Sequence, residues 1–496
     1  MESQKAGFSS AALAESLPRM SFAHAIAWTG AAKWLGQLLS WASTLVVARL
    51  LSPEDYGLVG MATVYLGFVT MLSEFGLGVA VVAHRELSPL QLAQLNTLAL
   101  IVGIVALLVS CFAAFPLADF FHSEKLPPVV IVLSTAFVIE SLRTVPQAML
   151  QKDLQFRYLA IAQVVHTVFV TVAMVLFALF DLGYWTLVLG NLLGSVLMTV
   201  VMTAKRPIRF AWPKSQELPG IFTFSRHIVI GRMAWYASIK MDLVVIGRVL
   251  GDAALGAYTV AATIAAMPMD KVTSLVTQVA TPYFSERQLD PGAMRHLLLT
   301  ITEALALITF PAALGIALVA KDFVLLALGE KWQEVIVPLQ LLGLLAAFRS
   351  LTPVLAPIVI ITGGARLSMY IGLLKALISP FIFYGATRWG INGVAAAWLI
   401  ADPLSNLSMY VRAFRRTELG AVPYIRCLVP AVIGSLVMGF AVFALQVAMP
   451  TNWPLALRLG LEVIVGAIAY PLTMWLCYRT HLRGLYQEFY KLGRKE

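Results

Sequence analysis

Long runs of apolar residues, separated by short polar segments, recur along almost the whole chain. A helix needs about 20 such residues to cross the hydrocarbon core of a bilayer, which is about 30 Å thick. By this criterion we predict about fourteen membrane-spanning helices, at residues 24–48, 57–82, 93–114, 128–150, 159–180, 184–203, 223–247, 256–281, 297–319, 335–361, 367–387, 391–411, 427–448 and 456–477. The alternating strands of an outer-membrane β-barrel do not occur in the sequence. The pattern therefore predicts an all-α, multi-pass membrane protein.

The composition excludes a soluble protein, because only 12% of the 496 residues are charged and 59% are hydrophobic. Soluble domains usually carry about 25% charged residues. The first apolar run continues past Val47 with no cleavage site for a signal peptide, so we predict an uncleaved first helix. Cys111, Cys427 and Cys477 lie in or at the ends of apolar segments. They are too few and too scattered for a disulfide framework or a metal site, and the sequence indicates no cofactor.

A net charge of +10 raises the alternative of nucleic-acid binding, but the distribution of the 36 Lys and Arg residues indicates topology instead. Most of them fall on one side of the predicted spans, which is the cytoplasmic side under the positive-inside rule. The largest clusters lie at residues 205–214, 412–416 and 479–496. We therefore predict that both termini are cytoplasmic and that the protein does not bind nucleic acid.

A weak internal repeat divides the chain into two halves. Arg49 precedes Gly57 by eight residues between the first two helices, and Arg248 precedes Gly256 by eight residues between the seventh and eighth. Two such copies predict two six-helix lobes with the same orientation, as in many transporters. The predicted parts are a first lobe (1–203), a cytoplasmic linker (204–222), a second lobe (223–416), two additional helices (417–478) and a cytoplasmic amphipathic tail (479–496). The tail is predicted to lie on the anionic inner leaflet.

Basic residues inside the predicted spans are candidates for substrate binding, because each costs about 3 kcal/mol in a bilayer unless it is paired or hydrated. Six of them are only weakly neutralised by nearby acids, although Asp242 and Asp270 lie near two of them: Lys33, Arg232, Lys240, Lys271, Arg349 and Lys375. A shared cationic cavity between the lobes would explain them, since Lys and Arg form charge-assisted hydrogen bonds with a diphosphate or an acidic sugar. The alternative, strongest for Lys33 and Lys375, is that the side chains extend to the membrane interface.

Acidic residues inside the spans are candidates for binding a coupling ion, H+ or Na+, because burial raises the proton affinity of a carboxylate. They are Glu74, Asp242, Glu303 and Asp402. The sequence does not single out any one of these acids. Two further couples, Glu140 with Arg143 and Arg458 with Glu462, are spaced to pair on one helical face and neutralise each other.

Enzyme motifs are absent from the loops, which contain no Asp-x-Asp diphosphate site, metal-ligand cluster or nucleophile elbow. The sequence therefore predicts no catalytic residues and no enzyme activity. A membrane-embedded glycosyltransferase or polymerase would need a larger external loop. The main alternative function is a cation-coupled multidrug exporter, although such a protein is expected to present acids to its cationic drugs.

Several short motifs resemble those of one family of bacterial transporters. They are Gly30–Trp34, Ala48–Leu51 leading to Asp55–Gly57, Gln151–Phe156, Leu328–Trp332 and Pro338–Leu342, and the likeness spans residues 25 to about 480. On these residues the chain resembles the Wzx-type polysaccharide exporters, and is similar to the colanic-acid and succinoglycan exporters. Their superfamily, called MOP, also contains the multidrug (MATE) and lipid II exporters.

The resemblance implies a V-shaped, two-lobed flippase of the bacterial inner membrane. Its substrate would be an undecaprenyl-diphosphate-linked oligosaccharide, moved to the periplasmic leaflet for exopolysaccharide or lipopolysaccharide biosynthesis. Cation antiport would drive transport, and the partners would be membrane lipids and the polysaccharide polymerase and export machinery. Lys33 and Lys271 match basic positions of similar sequences, whereas Asp270 stands where those sequences are uncharged.

Overall fold

A computed structural model gives the fold and describes residues 22–73, 78, 81–82, 87–214, 221–286, 290–361, 365–450 and 452–493. Every regular element in these ranges is helical, which confirms the all-α prediction. Nine stretches of the described residues are long and apolar enough to cross a membrane by length and composition alone. The chain is therefore a multi-pass membrane protein.

The described residues form fourteen long helices, numbered here α1 to α14. Their bounds are Phe22–Leu50, Pro53–Ser73, Pro89–Phe121, Leu126–Lys152, Phe156–Leu179, Trp185–Lys205, Ile221–Val249, Gly251–Glu286, Pro291–Ala327, Ile336–Ile361, Ala365–Ala386, Gly390–Thr417, Ala421–Ala448 and Leu455–Gly493. Short 3-10 turns at Glu330–Val335 and Thr387–Trp389 connect α9 to α10 and α11 to α12. The predicted number of helices is thus confirmed.

Local sequence fixes where two equivalent helices begin. The Ser88 hydroxyl accepts the backbone N–H of Gln91 at 3.1 Å, and the Gln91 side chain accepts the Ser88 N–H at 2.9 Å, which makes a capping box at the start of α3. Asp290 accepts the backbone N–H of Ala293 at 2.9 Å at the start of α9. Both caps precede a proline at the first helical position, where its missing N–H costs no hydrogen bond.

Helices α1–α6 and α7–α12 pack as two lobes with the same internal arrangement. In the first lobe α3 packs on α4, α4 on α6, and α1 on α5. Each contact recurs six helices later, as α9 on α10, α10 on α12, and α7 on α11. The two-lobed architecture predicted from the weak sequence repeat is therefore confirmed in the helix packing.

Helices α13 and α14 pack against α9 of the second lobe. The Tyr470 hydroxyl on α14 donates to the backbone oxygen of Leu307 at 2.7 Å. Nearer the start of α14, Arg458 Nε lies 3.1 Å from Asp322 Oδ2 on α9. The predicted couple of Arg458 with Glu462 is therefore wrong as an ion pair, because the fold brings a buried carboxylate from α9 to the guanidinium. Farther along α14, Tyr478 departs from helical geometry, next to the predicted start of the tail.

The segment that leaves the first lobe lies along α3. Asn96 Nδ2 donates to the backbone oxygen of Arg209 at 3.1 Å, and the Ala211 N–H donates to that of Ala93 at 3.3 Å. Residues 206–214, the first part of the predicted linker, are thus held on the first lobe, while residues 215–220 lie outside the described residues.

The two lobes meet through α2 and α8 at one end of the molecule. A Cβ atom on Gly57 would lie 1.8 Å from the backbone oxygen of Asp252, and one on Gly256 would lie 1.8 Å from that of Pro53. Only glycine permits so close an approach of two helices. Gly57 and Gly256 are the last residues of the two repeated motifs, so each copy supplies half of a reciprocal contact. We call the end that carries residues 49–57 and 248–256 the sealed end.

The repeated arginines also cross between the lobes at the sealed end. Arg49 donates to the backbone oxygen of Leu326, near the end of α9, and Arg248 contacts the ring of His122, at the end of α3. These positions are equivalent in the two halves. The arginine of each copy therefore binds the end of the third helix of the other lobe.

A tryptophan that follows α9 completes the contact. Trp332 is fully buried, and its Nε1–H donates to the backbone oxygen of Ala48 on α1 at 2.9 Å. Its ring meets Tyr56 edge-on, with centroids 5.6 Å apart. An indole donor buried with its partner is stabilising, whereas an unpaired one would cost free energy.

Apolar packing between the lobes is concentrated at the sealed end. One cluster takes buried residues from both lobes, among them Val47, Leu58, Leu126, Ile246, Leu255 and Leu339. The other clusters of described buried residues stay within the first lobe, or within the second lobe with α13. The lobes are thus joined at one end of the molecule, and the described core does not continue between them toward the other.

Candidate substrate-binding site

Two of the predicted cations lie in one polar network inside the second lobe. Lys375 Nζ on α11 donates to Asn406 Oδ1 on α12 at 2.6 Å, and Asn406 Nδ2 donates to Asp402 Oδ2 at 3.1 Å. Arg349 Nε on α10 lies 3.4 Å from the other oxygen of Asp402. The Asn406 amide therefore links the ammonium group to the carboxylate, so that Lys375 keeps two N–H donors beyond this bond.

The network extends through Trp398 to a second buried acid. The Arg349 guanidinium lies 4.1 Å from the centroid of the Trp398 ring, a favourable cation–π geometry. Trp398 Nε1–H donates to Asp242 Oδ2 on α7 at 2.8 Å, and the Tyr258 hydroxyl on α8 donates to the same oxygen at 2.9 Å. Asp242 is only 7% exposed. These bonds stabilise its charge and join α7, α8, α10 and α12 around one site.

A cavity of about 810 Å³ lies beside this network. Lys375, Asp402 and Trp398 line its inner part, and Arg412, Arg415 and Arg416 line the part near the end of α12. The intervening walls are mostly apolar and, besides four serines, include Ile371, Leu374, Ile378, Ile382, Leu404, Leu407 and Val411. A cavity with apolar walls and basic groups at both ends suits an amphiphile with an anionic part.

The cavity lies toward the end of the molecule opposite the sealed end. Successive helices alternate in direction, so the α1–α2 turn and the α11–α12 turn lie at the same end of the molecule, which is the sealed end. Helix α12 therefore begins at the sealed end. Arg412–Arg416 close α12 and therefore lie at the opposite end. Leu374 and Leu404 on the walls are more than half exposed. A ligand would thus enter away from the seal.

The other predicted site residues do not join this network in the part of the chain that the structure describes. Lys240 on α7 is half-buried and lies one helical turn from Tyr236, whose hydroxyl contacts Val64 of the first lobe, so that Lys240 shares the face toward that lobe. Lys271 on α8 is exposed. Glu303 is buried on α9, close enough to Cys427 of α13 for electrostatic interaction.

Three further predicted residues cannot be placed in the site. The side chains of Lys33 and Arg232, and the whole of Glu74, lie outside the described residues. The described lining of the cavity comes from α7, α11 and α12, all of the second lobe, rather than from both lobes as the sequence suggested. Arg349 has no ion-pair partner on its own helix, and its acid partner Asp402 comes from α12. Asp242 bonds to Tyr258 and Trp398, and forms no described ion pair with Lys240.

Sequence reasoning missed Asn406 and Trp398, which hold the network together. Both lie four residues from Asp402 on α12, so Trp398, Asp402 and Asn406 form one stripe of hydrogen-bonding side chains on one face of the helix. That stripe was visible in the sequence. The spacing of Arg412, Arg415 and Arg416 indicates membrane topology only, because nothing in it shows that a cavity reaches them.

Comparison with known proteins places the chain among proteins of polysaccharide biosynthesis. A sequence model of the family described as "Polysaccharide biosynthesis protein" matches residues 46–337. The chain is 27% identical over 376 residues to the lipopolysaccharide biosynthesis protein WzxC of Escherichia coli, covering 74% of this chain and 75% of that protein. It is 26% identical over 464 residues to the succinoglycan biosynthesis transport protein ExoT of Rhizobium meliloti, covering 90% and 91%.

Solved structures share the fold at low sequence identity. The lipid II flippase MurJ, in an inward closed conformation, matches with a TM-score of 0.76 at 13% identity, covering 92% of this chain and 99% of that one. An inward-facing multidrug resistance MATE family transporter of the MOP superfamily matches with a TM-score of 0.63 at 15% identity, covering 77% and 94%. The predicted MATE/MOP-like fold is therefore confirmed.

Proposed function

Because the chain belongs to the polysaccharide biosynthesis protein family, we propose that it flips an undecaprenyl-diphosphate-linked oligosaccharide repeat unit across the bacterial inner membrane. It would act by alternating access, as a transporter and not as an enzyme. The relatives named above support this proposal through their roles in the biosynthesis of cell-surface polysaccharides, and one of them is named a transport protein. The MurJ match supports a fold suited to such a task.

The observation that carries the proposal is the cavity beside Lys375. Its basic residues offer N–H donors to the diphosphate, and its apolar walls suit the first isoprene units of the lipid. A volume of about 810 Å³ is in the range of binding sites for small molecules, so it would hold the diphosphate and adjoining groups but not the whole lipid-linked oligosaccharide.

The charge distribution of the chain orients the proposed cycle. With Arg412–Arg416 and both termini on the cytoplasmic side, the cavity faces the cytoplasm and the sealed end faces the periplasm. The structure would then be the state that loads substrate from the inner leaflet. Separation of α2 from α8, together with closure of the opposite end, would release it outside.

We assign the coupling role to Asp402 among the four candidate acids. Asp402 is only partly buried, lies beside the cavity and faces both Arg349 and, through Asn406, Lys375. An ion bound there would compete with these cations and so would change the charge that the substrate meets. Asp242 is less suited, because three hydrogen-bond donors, including the Leu243 N–H, already hold its carboxylate.

The proposed function predicts a specific defect in a deletion strain. Surface polysaccharide should fall below detection, while the undecaprenyl-diphosphate-linked repeat unit accumulates in the inner leaflet. Extraction of lipid-linked oligosaccharides, followed by mass spectrometry, measures this and identifies the repeat unit. Plasmid-borne wild-type protein is the control and should reverse both changes. Normal polysaccharide together with increased sensitivity to cationic drugs would contradict the proposal and would support a multidrug exporter.

A further inference from the structure

A second cavity, of about 520 Å³, lies within the first lobe, where the proposed diphosphate site does not reach. Helices α2, α4, α5 and α6 surround it. Its polar lining consists of Thr63, Thr70, Glu140, Arg143, Gln163, His166, Asn191 and Ser195. Polar groups inside a membrane-embedded helix bundle are costly unless they bind each other, water or a ligand. Six of these eight side chains already form a hydrogen bond within the protein, and the donors and acceptors that remain suit a polar occupant.

The charges of this cavity balance each other. Arg143 Nη2 lies 2.9 Å from Glu140 Oε1, which confirms the pairing predicted from their spacing. The Ser195 hydroxyl donates to the same oxygen at 2.9 Å. The remaining polar residues of the lining, apart from His166, carry no formal charge. A bound metal cation would need an excess of acid, and a bound phosphate an excess of base, whereas this lining offers neither.

The lining nevertheless keeps unused donors and acceptors. Glu140 and Arg143 side chains are 34% and 23% exposed, which leaves the second carboxylate oxygen and further guanidinium N–H groups for a ligand. His166 Nδ1 is buried and makes no hydrogen bond to described protein atoms. Asn191 Nδ2 donates to the backbone oxygen of Leu187, and none of the described hydrogen bonds ends on the Asn191 Oδ1. Such mixed donors and acceptors match the hydroxyl groups of a neutral sugar.

Apolar groups in the same cavity complete this match. Phe137, Leu66 and Leu133 line the wall beside the polar residues. A pyranose ring has C–H faces that pack on apolar and aromatic surfaces, while its hydroxyl groups project from the rim. The cavity volume is also in the range of known small-ligand sites.

The cavity borders the interface between the lobes. Gly67 lines it on α2, and a Cβ there would lie 2.0 Å from the Tyr236 hydroxyl of α7. The same hydroxyl donates to the backbone oxygen of Val64 at 3.3 Å. Tyr236 of the second lobe thus packs against the α2 wall of the cavity, and movement of α7 relative to α2 would change access to it.

We propose that this first-lobe cavity binds a neutral sugar residue of the substrate, while the second lobe binds the lipid diphosphate. The inference rests on the proposed function and adds a location for the carbohydrate. Each lobe then holds one chemical part of the same molecule, and the relative movement of the lobes would carry both parts together.

Binding of matched lipids to the full-length chain in nanodiscs tests the assignment. The probes are undecaprenyl diphosphate, undecaprenyl diphosphate-glucose and undecaprenyl diphosphate-galactose, and tryptophan fluorescence reports binding. We expect at least one sugar-bearing lipid to bind about tenfold more tightly than the bare lipid, as two additional hydrogen bonds would give. Asn191→Leu and Ser195→Ala, each of which removes one of the two hydrogen bonds, should each reduce this difference to about threefold and leave the affinity for the bare lipid unchanged within twofold.

Thr167→Val is the matched control, because Thr167 also lies on α5, next to His166, but bonds only to the backbone oxygen of Gln163. It should retain the preference for the sugar-bearing lipid. Equal affinity of the wild-type chain for bare and sugar-bearing lipids would overturn the inference. It would also be overturned if Asn191→Leu and Ser195→Ala weakened the binding of bare and sugar-bearing lipids by the same factor. Failure of the wild-type chain to bind any of the three lipids would instead overturn the proposed function and, with it, this inference.

Discussion

Gly57→Val or Gly256→Val should reduce transport more than tenfold, because neither variant could form the sealed end. A Cβ atom at either position would lie 1.8 Å from a backbone oxygen of the other lobe, and a backbone cannot move aside as a side chain can. Overpacking in a protein core typically costs about 1–3 kcal/mol. A cost near 3 kcal/mol would lower the ratio of sealed to unsealed molecules roughly 100-fold.

The measurement combines polysaccharide export with the accessibility of a buried position in the seal. In a chain whose three cysteines are replaced by serine, Ala48→Cys reports closure, because Ala48 is 1% exposed beside Trp332. A membrane-impermeant maleimide should label this cysteine slowly in the otherwise unchanged chain and rapidly in the glycine variants. Gly315→Ala is the control, since no atom lies within 4 Å of a Cβ there, and it should keep both export and protection. Normal export by Gly57→Val would refute a transport cycle that passes through this state.

Lys375→Met should lower the affinity for undecaprenyl diphosphate about 10-fold to 100-fold. Methionine keeps most of the length and apolar character of the side chain but removes the ammonium group that lies beside the cavity. A hydrogen bond to a charged group contributes about 1.5–3 kcal/mol, which corresponds to that range. Tryptophan fluorescence of the chain in nanodiscs, titrated with undecaprenyl diphosphate, gives the affinity directly.

The control for this prediction is Lys321→Met, an equal change of charge at an exposed lysine near the sealed end of α9. Its affinity should equal that of the unchanged chain. Lys375→Arg should retain binding in part, because a guanidinium keeps the charge but not the short contact with Asn406. Equal affinity of the Lys375→Met variant and the unchanged chain would exclude this lysine from substrate binding.

The lengths of the apolar runs were sufficient to predict the helices, because each span in a bilayer must satisfy its own backbone hydrogen bonds as a helix. The spacing of three residues between Glu140 and Arg143 was likewise sufficient to predict their ion pair on one face of α4. It failed for Arg458, whose partner Asp322 lies on α9 and is brought near only by the packing of α14. Arg349 and Asp402 are likewise joined by the packing of α10 on α12, which no sequence spacing reveals.

The repeated Arg-to-Gly motif shows a different limit of sequence reasoning. The duplication of the motif indicated two lobes. That the two copies hold the lobes together becomes visible only in the folded structure, where each copy contacts the other lobe. Arg49 reaches the end of α9, Arg248 reaches the end of α3, and Gly57 and Gly256 pack on α8 and α2. The motif therefore forms a reciprocal contact because the two lobes are related by near-symmetry, which is a property of the assembled fold.

Transport by the purified full-length chain in lipid vesicles tests most directly whether the protein flips a lipid-linked saccharide by passing through the sealed state. Undecaprenyl diphosphate-linked saccharide is placed in one leaflet, and a saccharide-specific enzyme added outside reports its arrival in the other. We expect rapid exposure of the saccharide with the unchanged chain and with Gly315→Ala, and exposure no faster than in protein-free vesicles with Gly57→Val. Exposure at the protein-free rate with the unchanged chain, or undiminished transport by Gly57→Val, would contradict this expectation.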